Sequence, residues 1–97
     1  MEKIEKLAKR LSALSHPLRL KIVALLVGGE MYLSQIANNL EVSRALAKIH
    51  LKKLEKAGLV RSKVVLVEGE ARALRYYSIQ SFDIRLSPRL LAEMKGD

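Results

Sequence analysis

Cysteine is absent from the sequence, and its absence removes disulfides, thiolate metal sites, a cysteine nucleophile and thiol redox sensing together. There is no run of about 18 apolar residues, so no membrane-spanning helix is expected. The first residues, MEKIEKLAKRL, are charged and amphipathic, without the apolar stretch of a signal peptide, and a cytoplasmic protein is expected. No Gly-rich phosphate loop, internal repeat or low-complexity stretch occurs. Histidine is scarce: His16 and His50 stand far apart, too few for a metal site or a catalytic base with partners. Ser15, Ser34, Ser43 and Ser87 each precede a helical pattern, so capping explains them without a nucleophile. Glu68 and Glu70 flank a turn glycine and read as a solvated hairpin tip rather than an acid–base pair. An enzyme is not expected, nor is a cofactor.

Acidic residues are also few, 10 against 18 Lys and Arg, which leaves a net charge of +8. The excess is local. Between residues 44 and 75 there are nine basic residues and three acidic ones, a distribution that fits a nucleic-acid footprint. At 97 residues the chain reads as one domain, 1–97, with a small core that pairing with a second copy would reinforce.

The organising stretch is residues 33–60, LSQIANNLEVSRALAKIHLKKLEKAGLV. Ser34 can cap a short helix whose apolar side is Ile36, Ala37 and Leu40; Ser43 can cap a second that runs to about Ala57. Gly58 ends it, because glycine adopts the left-handed conformation without penalty. With only Glu41 and Val42 between, this is the helix-turn-helix plan, spanning 33–58. On the second helix Ala47, Leu51 and Leu54 share one face and Arg44, Lys48, Lys52 and Lys56 another. Like charges at i, i+4 repel by a few tenths of a kcal/mol, roughly, so the stripe works against its own helix unless an anion offsets it.

Upstream, residues 2–14 form an amphipathic pattern with Ile4, Leu7, Ala8, Leu11 and Leu14 on one stripe, and the N-terminal helix is assigned to 1–14. Ser15 caps and Pro17 begins a strongly apolar helix that should be the most buried element, stopped by Gly28-Gly29. Residues 31–33 can pair as a brief strand. Downstream, the period changes: 59–67 and 71–79 read as two strands around Glu68-Gly69-Glu70, together a hairpin wing at 59–79. Lys63 lies on the outgoing strand, Arg72 and Arg75 on the returning one, an odd number of positions apart and therefore on opposite faces. Tyr76 and Tyr77 read as packing residues. Ser87-Pro88 starts a last helix, 87–96, with Leu90, Leu91 and Met94 on its apolar side. The fold class is α+β, mainly α: a winged helix-turn-helix with a two-stranded wing and flanking terminal helices.

At these residues the chain resembles the ArsR-type winged helix-turn-helix transcription regulators over about residues 7–79. LSALSHPLRLKIVALL is similar to the family's second-helix signature, VSRALAKIHLKKLEKAGLV to its recognition helix, and RYYSI to the aromatic end of its wing. MarR-type regulators share the second stretch; the three in order are more specific. The resemblance implies a homodimeric repressor that binds double-stranded DNA, with the second motif helix in the major groove and the wing on adjacent backbone. By matching positions, the cap residue Ser43 with Arg44, Ala45, Lys48 and Ile49 would face base edges, and Lys52 and Lys53 would meet phosphates. From the wing, Lys63 and one of Arg72 and Arg75 would add to the DNA contact. The terminal helices would form the dimer interface, through Ile4, Leu7, Leu11, Leu90, Leu91 and Met94. The Cys-x-Cys of metal-sensing members falls here at Tyr32 and Ser34, and the C-terminal helix offers Glu93 without the histidine that zinc-binding members use. No metal is implied, and the sequence does not reveal an effector. Leu46 and Ile49, apolar beside the expected DNA face, could meet a thymine methyl or pack against protein. A protein-interaction adaptor and a non-specific chromatin or RNA-binding protein are the competing readings: the first lacks salt-dependent DNA binding, the second lacks a preferred site.

Overall fold

The computed structural model describes residues 2–95; Met1, Gly96 and Asp97, at the outer ends of the expected domain and terminal helices, lie outside the described residues. Helix α1 spans Glu2–Leu14 and helix α2 Pro17–Leu26. His16, in extended backbone, caps α2: its Nδ1 accepts from the Leu18 N–H at 3.1 Å. The cap expected at Ser15 is thus one residue late. Pro17 takes the first helical position, which makes the preceding residue the cap, and the Ser15 hydroxyl donates instead to the Ser12 carbonyl at 2.7 Å. Helix α2 buries three of its ten residues and helix α4 four of its thirteen, so the two share the core about equally. Apolar apart from Arg19 and Lys21, α2 buries one stripe, Arg19, Ile22 and Leu26, and leaves Leu20 half exposed.

A short strand β1, Met31–Tyr32, turns directly into helix α3, Leu33–Leu40. Because Tyr32 is held in the sheet opposite Tyr76, the helix starts at Leu33 and Ser34 falls inside it rather than capping it. The Gln35 side chain reaches back instead and accepts from the Tyr32 N–H at 3.0 Å. Helix α4 follows at Arg44–Lys56, capped as expected by Ser43, whose hydroxyl accepts from the Leu46 N–H at 3.0 Å.

Helices α3 and α4 end by the same device. Val42 N–H bonds the Ala37 carbonyl and Glu41 N–H the Asn38 carbonyl; Leu59 and Gly58 repeat that pattern on Leu54 and Glu55. Gly58 suits the left-handed corner at φ 75°, whereas Glu41 occupies the equivalent corner at φ 56° with a side chain that disfavours it.

Strands β2 (Val60–Leu66) and β3 (Ala73–Ile79) form the antiparallel wing. β1 joins on the other side of β3, so the sheet has three strands in the order β1-β3-β2. Alternation sets the faces: Val60, Ser62, Arg75 and Tyr77 point one way, Lys63 and Tyr76 the other. Helix α5 is Pro88–Met94, with the Ser87 hydroxyl accepting from the Leu90 N–H at 3.1 Å.

The core gathers Ile22 and Leu26 of α2, Ile36 of α3, Leu51 and Leu54 of α4, Leu59, Val60 and Tyr77. Helix α1 contributes Ala13 to it and covers it with half-buried Leu14. Helix α5 buries no residue and touches α1. Among the described residues no helix is long and apolar enough to cross a membrane.

The left-handed Glu41 yields a direct test. Glu41→Gly relieves the strained corner and should stabilise the chain by about 1 kcal/mol, read as a higher urea midpoint at unchanged slope; a lower midpoint would mean that the Glu41 side chain contributes more than its backbone costs.

Candidate nucleic-acid interface

Helix α4 is seated by Ala47, Leu51 and Leu54, none of which has any solvent exposure, together with His50. With 3.6 residues per turn, that fixes what lies opposite. Arg44, Ala45, Lys48, Ile49, Lys52, Lys53 and Lys56 are all exposed. Among the described residues no carboxylate pairs with Arg44, Lys48, Lys52, Lys53 or Lys56. The first turn of α4 holds no acidic residue and starts with Arg44. The positive end of the helix dipole, roughly half an elementary charge, is therefore reinforced rather than neutralised. Such an end is complementary to an anion. Leu46 and Ile49 flank this surface, 38% and 55% exposed.

The wing divides its basic residues. Arg75 lies on the sheet face turned to α4, where it donates to the Ser62 hydroxyl at 3.0 Å; Ser62 in turn donates to Glu55 of α4 at 2.8 Å. This chain of bonds ties the wing to the recognition-type helix. Arg75 also lines, with Lys48 and Lys52, a cleft between wing and helix, and a second with Arg44 and Lys48 next to the start of α3. Lys63 sits on the other sheet face and pairs with Glu30 at 3.4 Å. Arg72 is not on the returning strand as expected: β3 begins at Ala73, and Arg72 lies in the tip, pairing with Glu70 at 2.6 Å. The tip needs more turn residues than Glu68-Gly69-Glu70 alone, because Val67 and Arg72 close it through a backbone bond of 3.3 Å. The structure thus brings Arg75 to the α4 surface and leaves Lys63 and Arg72 with carboxylates elsewhere. Tyr77 is buried, and Tyr76 packs edge-on against Tyr32 with ring centroids 5.6 Å apart.

Of the residues expected at a dimer interface, Leu90 and Leu91 are exposed, and Ile4, Leu7, Leu11 and Met94 are half-buried. Among the described residues no three His, Asp or Glu converge as a metal site.

One polar cluster was not legible beforehand. Arg19 is 8% exposed; its Nε donates to the Ala13 carbonyl at 2.7 Å and its Nη1 to His50 Nδ1 at 3.1 Å. An arginine only donates, so His50 Nδ1 accepts and a neutral ring carries its proton on Nε2. The His16 ring lies 4.4 Å from that of His50, centroid to centroid. Burial first, then the charges of His16, Arg19 and Lys53, lower the His50 pKa below the ordinary imidazole value of 6.5.

The geometry describes a winged helix-turn-helix protein with a basic reading helix. The comparisons agree. The profile of the bacterial regulatory proteins of the arsR family matches residues 16–62. An uncharacterised HTH-type transcriptional regulator from Methanocaldococcus jannaschii is 38% identical over 82 residues, 84% of each chain. The solution structure of a homodimeric winged helix-turn-helix DNA-binding domain from Mycobacterium bovis, a possible ArsR-family regulator, superposes with a TM-score of 0.71 at 28% identity, covering 98% of this chain and 80% of that one. HlyU from Vibrio cholerae gives 0.69 at 26% identity with both chains fully covered. The chain belongs to the ArsR family of transcriptional regulators, with a DNA-binding winged helix-turn-helix.

His50 gives a pH prediction. Its folded-state pKa is depressed, so as the pH falls the unfolded chain takes up the proton first. The contribution is fully present above about pH 6.5 and is lost as the pH drops through the lower folded-state value. The thermal midpoint should therefore fall between about pH 7.5 and about pH 5, and His50→Gln should flatten that dependence; an equally steep profile in the variant would assign the effect to other groups.

Proposed function

We propose that the chain is a homodimeric repressor that recognises specific sites on double-stranded DNA and senses no metal through thiolates. The observation that carries this reading is the exposed surface of α4, where five cations stand without carboxylate partners around Ala45 and Ile49. In this reading Ser43, Arg44, Ala45, Lys48 and Ile49, at the start of α4, face base edges in the major groove, with Ile49 suited to a thymine methyl. Lys52 and Lys53 meet phosphates and supply salt-dependent affinity. Arg75 is the wing residue best sited to join them; Lys63 and Arg72 would contribute only after giving up Glu30 and Glu70.

Dimerisation through α1 and α5 has two supports besides the homodimeric relative from M. bovis. Helix α5 exposes Leu90 and Leu91 at 36% and 38%. The radius of gyration is 15.8 Å, against about 12.5 Å for a compact chain of this length; a chain less compact than a self-sufficient domain fits one completed by a second copy. A symmetric dimer would favour half-sites roughly 34 Å apart. Repression needs only that the bound dimer occupy a site that polymerase requires. The chain has no cysteine, so no thiolate sensor can form.

Selection from a randomised duplex pool at two salt concentrations should return a palindromic motif. Against that motif, Lys48→Ala should change base preference, whereas Lys52→Ala should weaken all sequences alike and lower the salt slope by about one unit. Equal effects of the two would contradict the division of roles, and no binding at low salt would favour the adaptor reading. Leu91→Glu should shift sedimentation equilibrium from dimer to monomer; an unchanged mass would remove α5 from the interface.

A further inference from the structure

Arginine is seldom buried without a carboxylate, because removing a charge from water is costly unless it is paired. Arg19 breaks that rule. Its two bonds are to a carbonyl and to a neutral imidazole acceptor, and among the described residues no carboxylate pairs with it. Among the described residues its remaining nitrogen, Nη2, has no protein partner, yet no unpartnered side-chain nitrogen is sealed from solvent. Nη2 therefore keeps contact with solvent, and Arg19 lines a cleft. That cleft, between α1, α2 and α4, measures about 350 Å³ and is lined also by Lys9, Ser12, Lys53 and Lys56. Four cations border it and no carboxylate does. The C-terminal turns of α1 and α4 lie beside it: Lys53 and Lys56 stand in the last turn of α4, and the Ala13 carbonyl in the last turn of α1 holds the Arg19 Nε. Neither engages the Nη2 edge of the guanidinium.

We infer that this cleft binds a phosphate oxyanion, held by the Arg19 guanidinium with Lys9, Lys53 and Lys56 around it and the Ser12 hydroxyl as a further donor. A guanidinium presents N–H groups at the spacing of two phosphate oxygens, and an ion pair out of bulk water gains more than a surface one. The volume falls within the range of small-ligand sites, roughly 300–1,000 Å³. The phosphate has two possible sources, a free phosphorylated molecule or the backbone of bound DNA. The inference goes beyond the DNA-reading surface: Lys53 and Lys56 are common to both, whereas Lys9, Ser12 and Arg19 belong to the cleft.

The experiment is a titration of the full chain, without DNA, with sodium pyrophosphate at constant pH and ionic strength, followed by the imidazole proton resonances. The chain has only two histidines, and His50 touches Arg19, so its signals report the cleft. The expected result is a saturable His50 shift that a matched sodium chloride series does not produce, with affinity at least fivefold lower in Lys9→Ala, an exposed position whose loss leaves the core intact. A second arm measures duplex binding by Lys9→Ala. Unchanged DNA affinity with lost pyrophosphate binding identifies a free phosphate ligand; a salt slope lower by about one unit identifies a backbone phosphate. Identical responses to pyrophosphate and chloride, with no effect of Lys9→Ala in either arm, would overturn the inference. Because the first arm contains no DNA, its outcome is independent of whether the chain reads a specific operator.

Discussion

Ala47, Leu51 and Leu54 are sealed from solvent in the core they share with Ile22, Leu26, Ile36 and Tyr77, and that burial fixes how α4 is rotated about its axis. A helix cannot bury one face without committing the other. Once these three positions face inward, Arg44, Lys48, Lys52 and Lys56 must face out, whatever their mutual repulsion costs. The wing depends on the same seating, because Ser62 and Arg75 are registered on Glu55 of α4. At the far side Arg19 fastens the last turn of α1 to His50 in the middle of α4. One helix thus sets the position of the wing, the basic surface and the N-terminal helix together.

The parts of this arrangement carried by local pattern were legible in the sequence. The α4 boundaries, its Ser43 cap and its Gly58 stop follow from hydrogen-bond needs that a few adjacent residues satisfy. The last helix, with Ser87 and Pro88, was equally plain. The misread starts, Ser15 and Ser34, share a cause. At each, a neighbouring constraint moved the helix by a residue: the ring of Pro17 in one case, the pairing of Tyr32 with Tyr76 in the other. A hydroxyl at roughly the right place is not enough when tertiary pairing decides where the helix begins.

Arg19 was illegible for a different reason. It reads, with Lys21, as one of two charges on an otherwise apolar helix, although its spacing to Ile22 and Leu26 puts it on the buried stripe. Its partner is 31 residues away, and nothing local announces it. The wing divides similarly. Strand parity separates Lys63 from Arg75 on paper, but the capture of Lys63 by Glu30 and of Arg72 by Glu70 is a matter of three-dimensional neighbours. The sequence points to Lys63 and one of Arg72 and Arg75 acting from the wing, while the folded wing brings Arg75 to the side of α4 and pairs Lys63 and Arg72 with carboxylates.

The strand order β1-β3-β2 leaves β2 with one unpaired side. Its outer half is apolar and open, with Val64 55% and Leu66 80% exposed. An unpaired row of amides beside such side chains is a template onto which another extended chain can add. Arg61 stands exposed in the same strand, while Lys63 is paired with Glu30, so edge-to-edge pairing of two copies would bring Arg61 charges toward each other. Positive charge on β2 thus works against crowded molecules stitching their sheets together, and the more of it a polyanion or high salt masks, the less protected this margin becomes.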